Sequence, residues 1–389
     1  MTSTVSPISS WSLRTQKLDF SASPVWMGII NLTSDSFSDG GRFCKSIDDQ
    51  RIQLNIPEVL DYAFGLTEQG AGILDIGGES SRPGSEPILE LEEIQRVISI
   101  VQRLAKKTKI PISVDTTRAS VAELAILAGA EIINDISGGT FDPLMLKVIR
   151  RYQPGYCLMH IPSLPKTMQN APVYQNVVED VFHWLKERLN FFLDSGIPQE
   201  KICLDVGIGF GKTFEQNIEL LRNIERFHEL GCPILIGHSR KSFLNPFYLQ
   251  TKWQQNVKNI SISSKFSSKE SILVDDYLES DFCISKENQD LSLQRIKQKN
   301  SQIQPTSKSI TFHPEFETNS FQEINVPDIE NRLDKYVDSV QLNAIRDDWT
   351  AMVSVILARK KVQILRVHDI LKNQAAVILD RMLQSQDCQ

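Results

Sequence analysis

Polar residues that can bind anions, cations or heterocycles stand at or directly after the ends of short apolar segments. They are Asn31, Asp75, Asp115, Asn134, His160, Asp205, His238 and Arg366. Carboxylates and amides accept hydrogen bonds from amino groups, whereas arginine and histidine bind phosphates. An Asp or Asn after a strand is also a common helix cap or turn former, so each position alone is ambiguous. The whole set indicates one shared binding site.

Two polar loops follow the first two apolar segments. Residues 31–41 read Asn-Leu-Thr-Ser-Asp-Ser-Phe-Ser-Asp-Gly-Gly, which suits a mobile loop over a ligand, with Asn31 presenting an oxygen to a hard cation. The second loop contains Glu79-Ser-Ser-Arg-Pro-Gly84, in which Ser81 and Arg82 can bind an anion. Phosphate is the natural candidate, and the alternative is a Gly/Pro-rich turn with an exposed arginine.

A glycine segment (Gly207–Gly211) follows Asp205 and resembles nucleotide-binding motifs without matching them. The glycines fall at 207, 209 and 211, which does not fit GxGxxG, and Val206 stands where a P-loop needs its first glycine. Beside Asp205, the segment would instead let a flat ligand lie against the backbone, with Phe210 as an aromatic wall.

Basic and hydroxyl side chains follow the last two apolar segments. Lys241 is placed to hydrogen-bond a heterocycle and Ser242 to bind a carboxylate. Arg366 and His368 share one side of an extended chain because side chains alternate with a period of two. We interpret them as a clamp for a polyphosphate. A lone histidine more often has a structural role, and that alternative stays open.

Alternation of strands and helices predicts the fold that must position these residues. The predicted strands are Val25–Ile30, Ile73–Gly77, Ile112–Asp115, Glu131–Asn134, Tyr156–His160, Ile202–Asp205, Pro233–Gly237 and Val362–Arg366. The predicted helices include Leu91–Lys107, Ala119–Ala128, Val177–Asp194, Phe214–Leu230 and Leu371–Leu383. Eight apolar strands alternating with amphipathic helices indicate an α/β fold, a single (β/α)8 TIM barrel, whose active sites lie at the C-terminal ends of the strands.

Composition narrows the class of partners. The chain has 389 residues and a formal net charge of −6, which argues against nucleic acid and anionic membranes. No stretch is apolar enough to span a bilayer and residues 1–16 lack the basic-then-apolar order of a signal peptide, so the expected location is the cytoplasm. The six cysteines are scattered and indicate neither disulfides nor a zinc site.

One segment departs from the barrel pattern. Residues 245–343 contain no glycine and include stretches rich in Ser, Lys, Gln and Asn, which predicts a flexible insertion between strand 7 and the helix before strand 8. A small helical subdomain is the alternative. The expected organisation is an N-terminal extension over 1–23, read as an edge strand or tail, the barrel over 24–244, the insertion over 245–343, and a final helix–strand–helix over 344–389.

The motifs together resemble those of the dihydropteroate synthases, pterin-binding TIM-barrel transferases of folate biosynthesis that sulfonamides target. The resemblance is carried by 27–41, 75–84, 113–116, 133–136, 158–160, 165–169, 205–212, 239–242 and 366–369. It implies that the chain condenses 6-hydroxymethyl-7,8-dihydropterin diphosphate with 4-aminobenzoate, releasing pyrophosphate, and that it forms a homodimer. Three features depart from the family pattern: Ser81 and Val206 stand where Thr and Pro are usual, and residues 359–361 replace a usual glycine.

The resemblance also implies a role for each site residue. The catalytic set would be Asn31, Asp115, Lys241, Arg366 and His368. The pterin would be bound by Asp115, Asn134, Met159, Asp205, Lys241 and Arg366. The diphosphate would be bound by Asn31 with Mg²⁺ and by Ser81, Arg82, Arg366 and His368. The 4-aminobenzoate would be bound by Phe37, Pro83, Phe210 and Ser242.

Two other interpretations remain at the level of sequence. The folate-binding barrel of corrinoid-dependent methyltransferases shares the pterin-binding rim, but it lacks the combination of Ser81-Arg-Pro83 and Ser239-Arg-Lys-Ser242 found here. The second alternative is a pterin-binding relative that has lost turnover through the insertion.

Overall fold

Eight parallel strands close into a barrel in the computed structural model of the chain. The structure describes residues 8–21, 24–33, 43–48, 51–82, 84–168, 173–244 and 339–384. Its strands, numbered along the chain, are β1 (Ser10–Ser12), β2 (Lys17–Asp19), β3 (Val25–Asn31), β4 (Cys44–Asp48), β5 (Arg51–Leu54), β6 (Ile73–Gly77), β7 (Ile112–Asp115), β8 (Ile132–Asp135), β9 (Gly155–Met159), β10 (Ile202–Asp205), β11 (Ile234–Gly237) and β12 (Ile364–Val367).

The barrel runs in chain order and closes between its first and last strands. The order is β3, β6, β7, β8, β9, β10, β11 and β12, and β12 pairs in parallel with β3 from Ile364↔Val25 to Val367↔Gly28. This topology confirms the predicted TIM barrel, and each predicted strand lies within two residues of an observed one.

Helices cover the outer face of the barrel. They are α1 (Ile56–Glu68), α2 (Glu90–Ala105), α3 (Ala119–Ala128), α4 (Met145–Tyr152), α5 (Val177–Asp194), α6 (Phe214–Arg222), α7 (Ser339–Arg359) and α8 (Ile370–Gln384). The prediction of one helix over Phe214–Leu230 was wrong, because α6 ends at Arg222 and a 3-10 helix occupies Ile224–Leu230. The Asn223 side chain between them donates to the Glu219 carbonyl at 2.9 Å, which competes with continued helix formation.

Successive side chains of each strand point to opposite faces, so the strands contribute to two separate apolar regions. One set of side chains, the lower layer, packs inside the barrel: Met27, Ile73, Ile132, Cys157, Cys203, Leu235 and Ile364. The residues between them, such as Leu74, Ile133 and Leu204, belong to the larger cluster shared with the helices. Because the side-chain period of a strand is two, positions two residues after the lower layer also face the barrel interior.

An N-terminal hairpin, β1–β2, packs against the lower layer. Trp11, Leu13 and Phe20 are buried in the same cluster, and the Trp11 indole Nε1 donates to the Lys201 carbonyl at 2.9 Å. Thr15 donates through its backbone N–H and its hydroxyl to the Glu131 carboxylate, both at 2.7 Å. This segment is therefore neither a tail nor an edge strand of the barrel, because its apolar residues close the end opposite the predicted site.

Two predicted flexible segments lie largely outside the described residues. Residues 34–42 of the first loop and 245–338 of the insertion are not described. The helix α7 begins at Ser339, so residues 339–343 of the predicted insertion belong to it. Among the described helices, none is both long and apolar enough to cross a membrane.

Candidate active site

A polar upper layer lies two residues beyond the apolar lower layer inside the barrel. Its members are Asp75, Asn134, Met159, Asp205 and Arg366, which follow Ile73, Ile132, Cys157, Cys203 and Ile364 by two positions, together with Asp115 at the end of β7. The same strand geometry that fills the barrel with apolar side chains thus directs carboxylates, an amide and a guanidinium to its C-terminal end.

Arg366 links three strands of this layer. Its Nε donates to Asp75 Oδ2 at 2.6 Å and its Nη2 donates to Asp115 Oδ2 at 3.0 Å. The Asn134 amide donates to the same Asp75 oxygen at 3.3 Å. Asp75 Oδ1 is buried and has no hydrogen-bond partner within the described part of the chain. Asp75 was grouped with the polar strand ends from sequence but given no role.

Burial changes the protonation behaviour of the ionisable groups. It raises the pKa of Asp205 to about 6, although the Gly207 N–H, at 2.8 Å from Asp205 Oδ1, and Lys241 oppose the shift. Burial also raises the pKa of Asp115, which Arg366 opposes. The pKa of Lys241 falls to about 8, mainly through burial and then through Arg366. Between these two pKa values, near neutral pH, the Asp205 carboxylate and the Lys241 ammonium are both mostly charged.

Lys241 lies against the glycine segment. Its Nζ is 3.9 Å from the centroid of the Phe210 ring, a cation–π distance. A Cβ atom on Gly209 would lie 2.9 Å from Lys241 Cδ, and the left-handed φ of 81° at this position favours glycine. Phe210 packs with Met159 in a small buried cluster at this end of the barrel. A flat ligand would therefore meet an ammonium group and an aromatic ring side by side.

The segment after β11 is tied to β12 and to α7. The Ser239 hydroxyl lies 2.9 Å from His368 Nδ1 and accepts from the His368 backbone N–H at 3.2 Å. Arg240 adopts a left-handed φ of 57° and donates through Nε and Nη2 to the Asp347 carboxylate, each at 2.8 Å. Lys241 and Ser242 directly follow this anchored turn.

The second loop is supported from α2 and from the residue before α3. Ser85 Oγ donates to the carbonyls of Ser80 and Arg82 at 2.6 and 2.8 Å. Arg118 donates to the Glu79 carboxylate at 3.1 Å and also pairs with Glu93 of α2. These contacts fix the backbone that carries Ser81 and Arg82.

The structure brings together most, but not all, of the polar residues at the strand ends. His160 and His238 lie on the other face of their strands from the upper layer, and their side chains pack towards the helices. The His160 ring meets the Trp184 ring of α5, with centroids 5.0 Å apart, and His238 Nε2 lies 2.9 Å from Ser354 Oγ of α7. The expectation that all eight converge on one rim was therefore wrong for these two. Phe37 and Pro83 lie outside the described residues.

Asn31 is the residue predicted to contact a metal. It ends β3 beside β6, where a Cβ on Gly77 would lie 3.7 Å from Asn31 Oδ1. Within the described ranges, no group of three or more His, Cys, Asp or Glu side chains is arranged to hold a metal ion. A single amide oxygen fits a Mg²⁺ that is bound mainly by substrate phosphates and water.

Comparison with known proteins gives one consistent result. The family model described as "Pterin binding enzyme" matches residues 27–266. A dihydropteroate synthase from Synechocystis is 44% identical over 231 residues, which cover 59% of this chain and 76% of that protein. The Yersinia pestis dihydropteroate synthase, solved with a sulfonamide drug complex, aligns with a TM-score of 0.66 and 27% identity over 96% of this chain and 98% of that one. The Xanthomonas albilineans enzyme with 4-aminobenzoic acid aligns with a TM-score of 0.64 and 25% identity over 97% and 98%.

Proposed function

Because the chain belongs to the pterin-binding enzyme family and is similar along its barrel to dihydropteroate synthases, we propose that it is a transferase of folate biosynthesis. It condenses 6-hydroxymethyl-7,8-dihydropterin diphosphate with 4-aminobenzoate and releases pyrophosphate. The observation that carries the proposal is the upper layer, in which carboxylates, an amide and a guanidinium from separate strands meet inside one barrel end.

The pterin is assigned to the interior of this layer. Asp205 and Asn134 are buried and offer oxygens to the amino-pyrimidine edge, while Lys241 donates to ring acceptors. Asp115, Met159 and Arg366 complete the pocket in the proposal. Asp205 is suited to this role because its carboxylate is already held by the Gly207 N–H at 2.8 Å.

The diphosphate is assigned to the rim around Arg366, with Ser81, Arg82 and Asn31 as further ligands in the proposal. The Ser239 hydroxyl accepts from the His368 backbone N–H and lies 2.9 Å from His368 Nδ1. In the proposal this hydroxyl donates to Nδ1, and the ring proton of His368 is on Nε2. Burial and the surrounding cations hold the pKa of His368 well below its usual range, so the ring is a neutral donor. Mg²⁺, bound with the diphosphate at Asn31, would neutralise charge on the leaving group.

Catalysis in this arrangement depends on leaving-group stabilisation and alignment. The bond between the pterin methylene carbon and the diphosphate oxygen breaks, and pyrophosphate takes the electron pair beside Arg366 and His368. The amine nitrogen of 4-aminobenzoate then bonds to the methylene carbon and releases a proton. Phe210 and Ser242, with Phe37 and Pro83, orient that substrate, and no strong general base is needed because the amine attacks an electron-poor carbon.

The experiment that tests this proposal is a direct product assay. Purified protein is incubated with the pterin diphosphate, Mg²⁺ and 4-aminobenzoate, and dihydropteroate and pyrophosphate are measured together. We expect equal amounts of both products. Binding of the pterin diphosphate without product would favour the relative that lacks turnover, whereas methyl transfer from a methylated folate would favour the methyltransferase alternative.

We also propose that the chain forms a homodimer through α7 and α8. Met352 and Ile356 of α7 and Leu379, Met382 and Leu383 of α8 are exposed although they are apolar. Several exposed apolar residues on two neighbouring helices are typical of an interface between copies of a protein. Light scattering should give twice the chain mass for the wild type and the chain mass for Leu379→Glu combined with Met382→Glu. A monomeric wild type would contradict the proposal.

A further inference from the structure

A buried lysine holds the glycine segment. The Lys212 side chain is 4% exposed, and its Nζ donates to the carbonyls of Gly207 and Phe210 at 2.9 and 3.0 Å. It also lies 3.1 Å from His160 Nδ1. Burial lowers the pKa of Lys212 to about 7. In its charged form the lysine has three protons to donate, and these three acceptors use all of them. Such an arrangement fixes the path of the backbone between Gly207 and Phe210.

His160 connects this lysine to the helix layer. Burial, followed by the charge of Lys212, holds the pKa of His160 well below its usual range, so the neutral ring accepts at Nδ1. The ring packs at a right angle against Trp184 of α5. Lys212 therefore anchors the glycine segment to a side chain that the barrel and α5 already hold.

Asn217 of α6 binds the same segment from the other side. Its Oδ1 accepts from the Gly209 N–H at 2.7 Å, and its Nδ2 donates to the carbonyls of Lys212 and Thr213 at 3.3 and 2.8 Å. The segment needs such support because its three glycines have left-handed φ values of 71°, 81° and 57°. A chain in this conformation is not held by a regular hydrogen-bonded element.

Phe210 is the side chain whose place these contacts determine. Its backbone N–H donates to the Gly207 carbonyl at 3.1 Å, and its own carbonyl accepts from Lys212. A movement of the segment would shift the ring away from Lys241 Nζ, which is 3.9 Å from its centroid. Asp205 should move less than Phe210, because it belongs to β10 and only its carboxylate contacts the segment, through the Gly207 N–H at 2.8 Å.

We propose that Lys212 is a positioning residue for the 4-aminobenzoate pocket, in that it fixes the glycine segment so that Phe210 forms one wall of that pocket. The inference rests on the proposed function, because it takes 4-aminobenzoate as the ligand beside Phe210. It goes beyond that function by assigning a role to a buried residue that touches neither substrate.

The first test is steady-state kinetics of Lys212→Met with both substrates varied. Methionine has a similar length but donates no hydrogen bond. We expect the KM for 4-aminobenzoate to rise at least tenfold while the KM for the pterin diphosphate changes less than threefold. Lys212→Gln, which retains two donors, should give an intermediate value. Parallel loss of both affinities and of thermal stability would overturn the proposal, since a purely structural role predicts that result.

Two further variants sharpen the test. Lys201→Met removes a lysine at the other end of β10, whose Nζ donates to the Leu13 carbonyl, and should leave both KM values unchanged. In a double-mutant cycle with Phe210→Ala, the pair should be no worse for 4-aminobenzoate than Phe210→Ala alone, within twofold. Additive effects would mean that Lys212 does not act through Phe210.

Hydrogen exchange gives a readout that requires no turnover. In Lys212→Met or Lys212→Gln, the amides of residues 207–211 should exchange at least tenfold faster, with no change in Lys201→Met. Unchanged exchange would overturn the inference. Absence of dihydropteroate from the wild type would refute the proposed function instead, while the exchange measurement would still decide whether Lys212 fixes the segment.

Discussion

The buried carboxylates of the upper layer, to which we assign a role in binding, carry a cost in stability. The pKa of Asp205 is raised by burial to about 6, so the folded protein holds its proton more tightly than the unfolded chain does. A raised carboxyl pKa means that the folded state loses relative stability as pH rises from about 4 to about 6. The proposed contact with the amino-pyrimidine edge nevertheless requires the charged form of Asp205.

We expect Asp205→Asn to have opposite effects on binding and on stability. The KM for the pterin diphosphate should rise tenfold or more, because an amide is a weaker acceptor than a carboxylate. The free energy of unfolding at pH 8 should rise by up to about 3 kcal/mol, because the buried charge is removed. Urea denaturation and initial rates measure the two quantities. An unchanged KM would contradict the assignment of Asp205.

The pH dependence of the wild type provides a check on the same residue. Below about pH 6 Asp205 takes up a proton, so kcat/KM for the pterin diphosphate should fall with decreasing pH. Above about pH 8 Lys241 loses its proton, and the same ratio should fall again. In Asp205→Asn the fall of kcat/KM at low pH, the acid limb of the profile, should be smaller. An acid limb of unchanged position and depth would mean that another group controls it.

Arg366→Ala should affect turnover more than the affinity for 4-aminobenzoate. The guanidinium lies between Asp75 and Asp115 and is assigned to the departing diphosphate. Its loss should lower kcat by about two to three orders of magnitude, typical of a lost charge-stabilising donor, with the KM for 4-aminobenzoate within threefold. A large rise in that KM with kcat unchanged would contradict the role.

The sequence allowed most individual site residues to be placed, but not the contacts between them. Asp115, Asn134, Asp205, Lys241 and Arg366 were predicted because each stands in a recognisable motif at a strand end. Asp75, Ser239 and Lys212 stand out only through their contacts in the structure, and the Arg366–Asp75 pair joins positions 291 residues apart. Because side chains alternate along a strand, Asp75 faces the same side of β6 as Ile73, whereas His160 faces the side opposite to Cys157 of β9.

At the scale of elements, α7 is connected directly to the turn that precedes Lys241. Besides the Arg240–Asp347 pair, the Thr350 hydroxyl accepts from the Arg240 backbone N–H at 3.3 Å, and Ser354 contacts His238. The strand and helix pattern predicted the existence of α7 and β12, but not where α7 begins. Residues 339–343 belong to α7, whereas the composition of the sequence assigns them to the insertion.

We expect Asp347→Ala to weaken binding of 4-aminobenzoate. The change removes two hydrogen bonds that hold Arg240 in a left-handed conformation, two residues before Ser242. The KM for 4-aminobenzoate should rise about fivefold to tenfold. The neighbouring Asp348→Ala is a matched control, because that carboxylate is exposed and pairs with Lys372 of α8. Equal effects of the two changes would exclude a specific role for the turn.

Across the whole barrel, we expect one end to contribute mainly to stability and the other mainly to substrate binding. The hairpin β1–β2 closes one end through Trp11, and the upper layer occupies the other. Trp11→Ala should lower the free energy of unfolding by about 3–5 kcal/mol, as for other buried aromatic residues. Urea denaturation should show this loss, while both KM values stay within twofold. A selective change in one KM would mean that the two ends are coupled.

Barrel closure by β12 also has a consequence for protein synthesis. On the ribosome, Asp75 emerges long before Arg366, so β6 carries a carboxylate without its counter-charge until the last strand is made. The β3 and β11 edges also remain open until β12 pairs with both of them. Synthesis of β12 therefore completes the active site and removes the aggregation-prone edges at the same time. A nascent chain that stops before β12 has an incomplete site and two open strand edges.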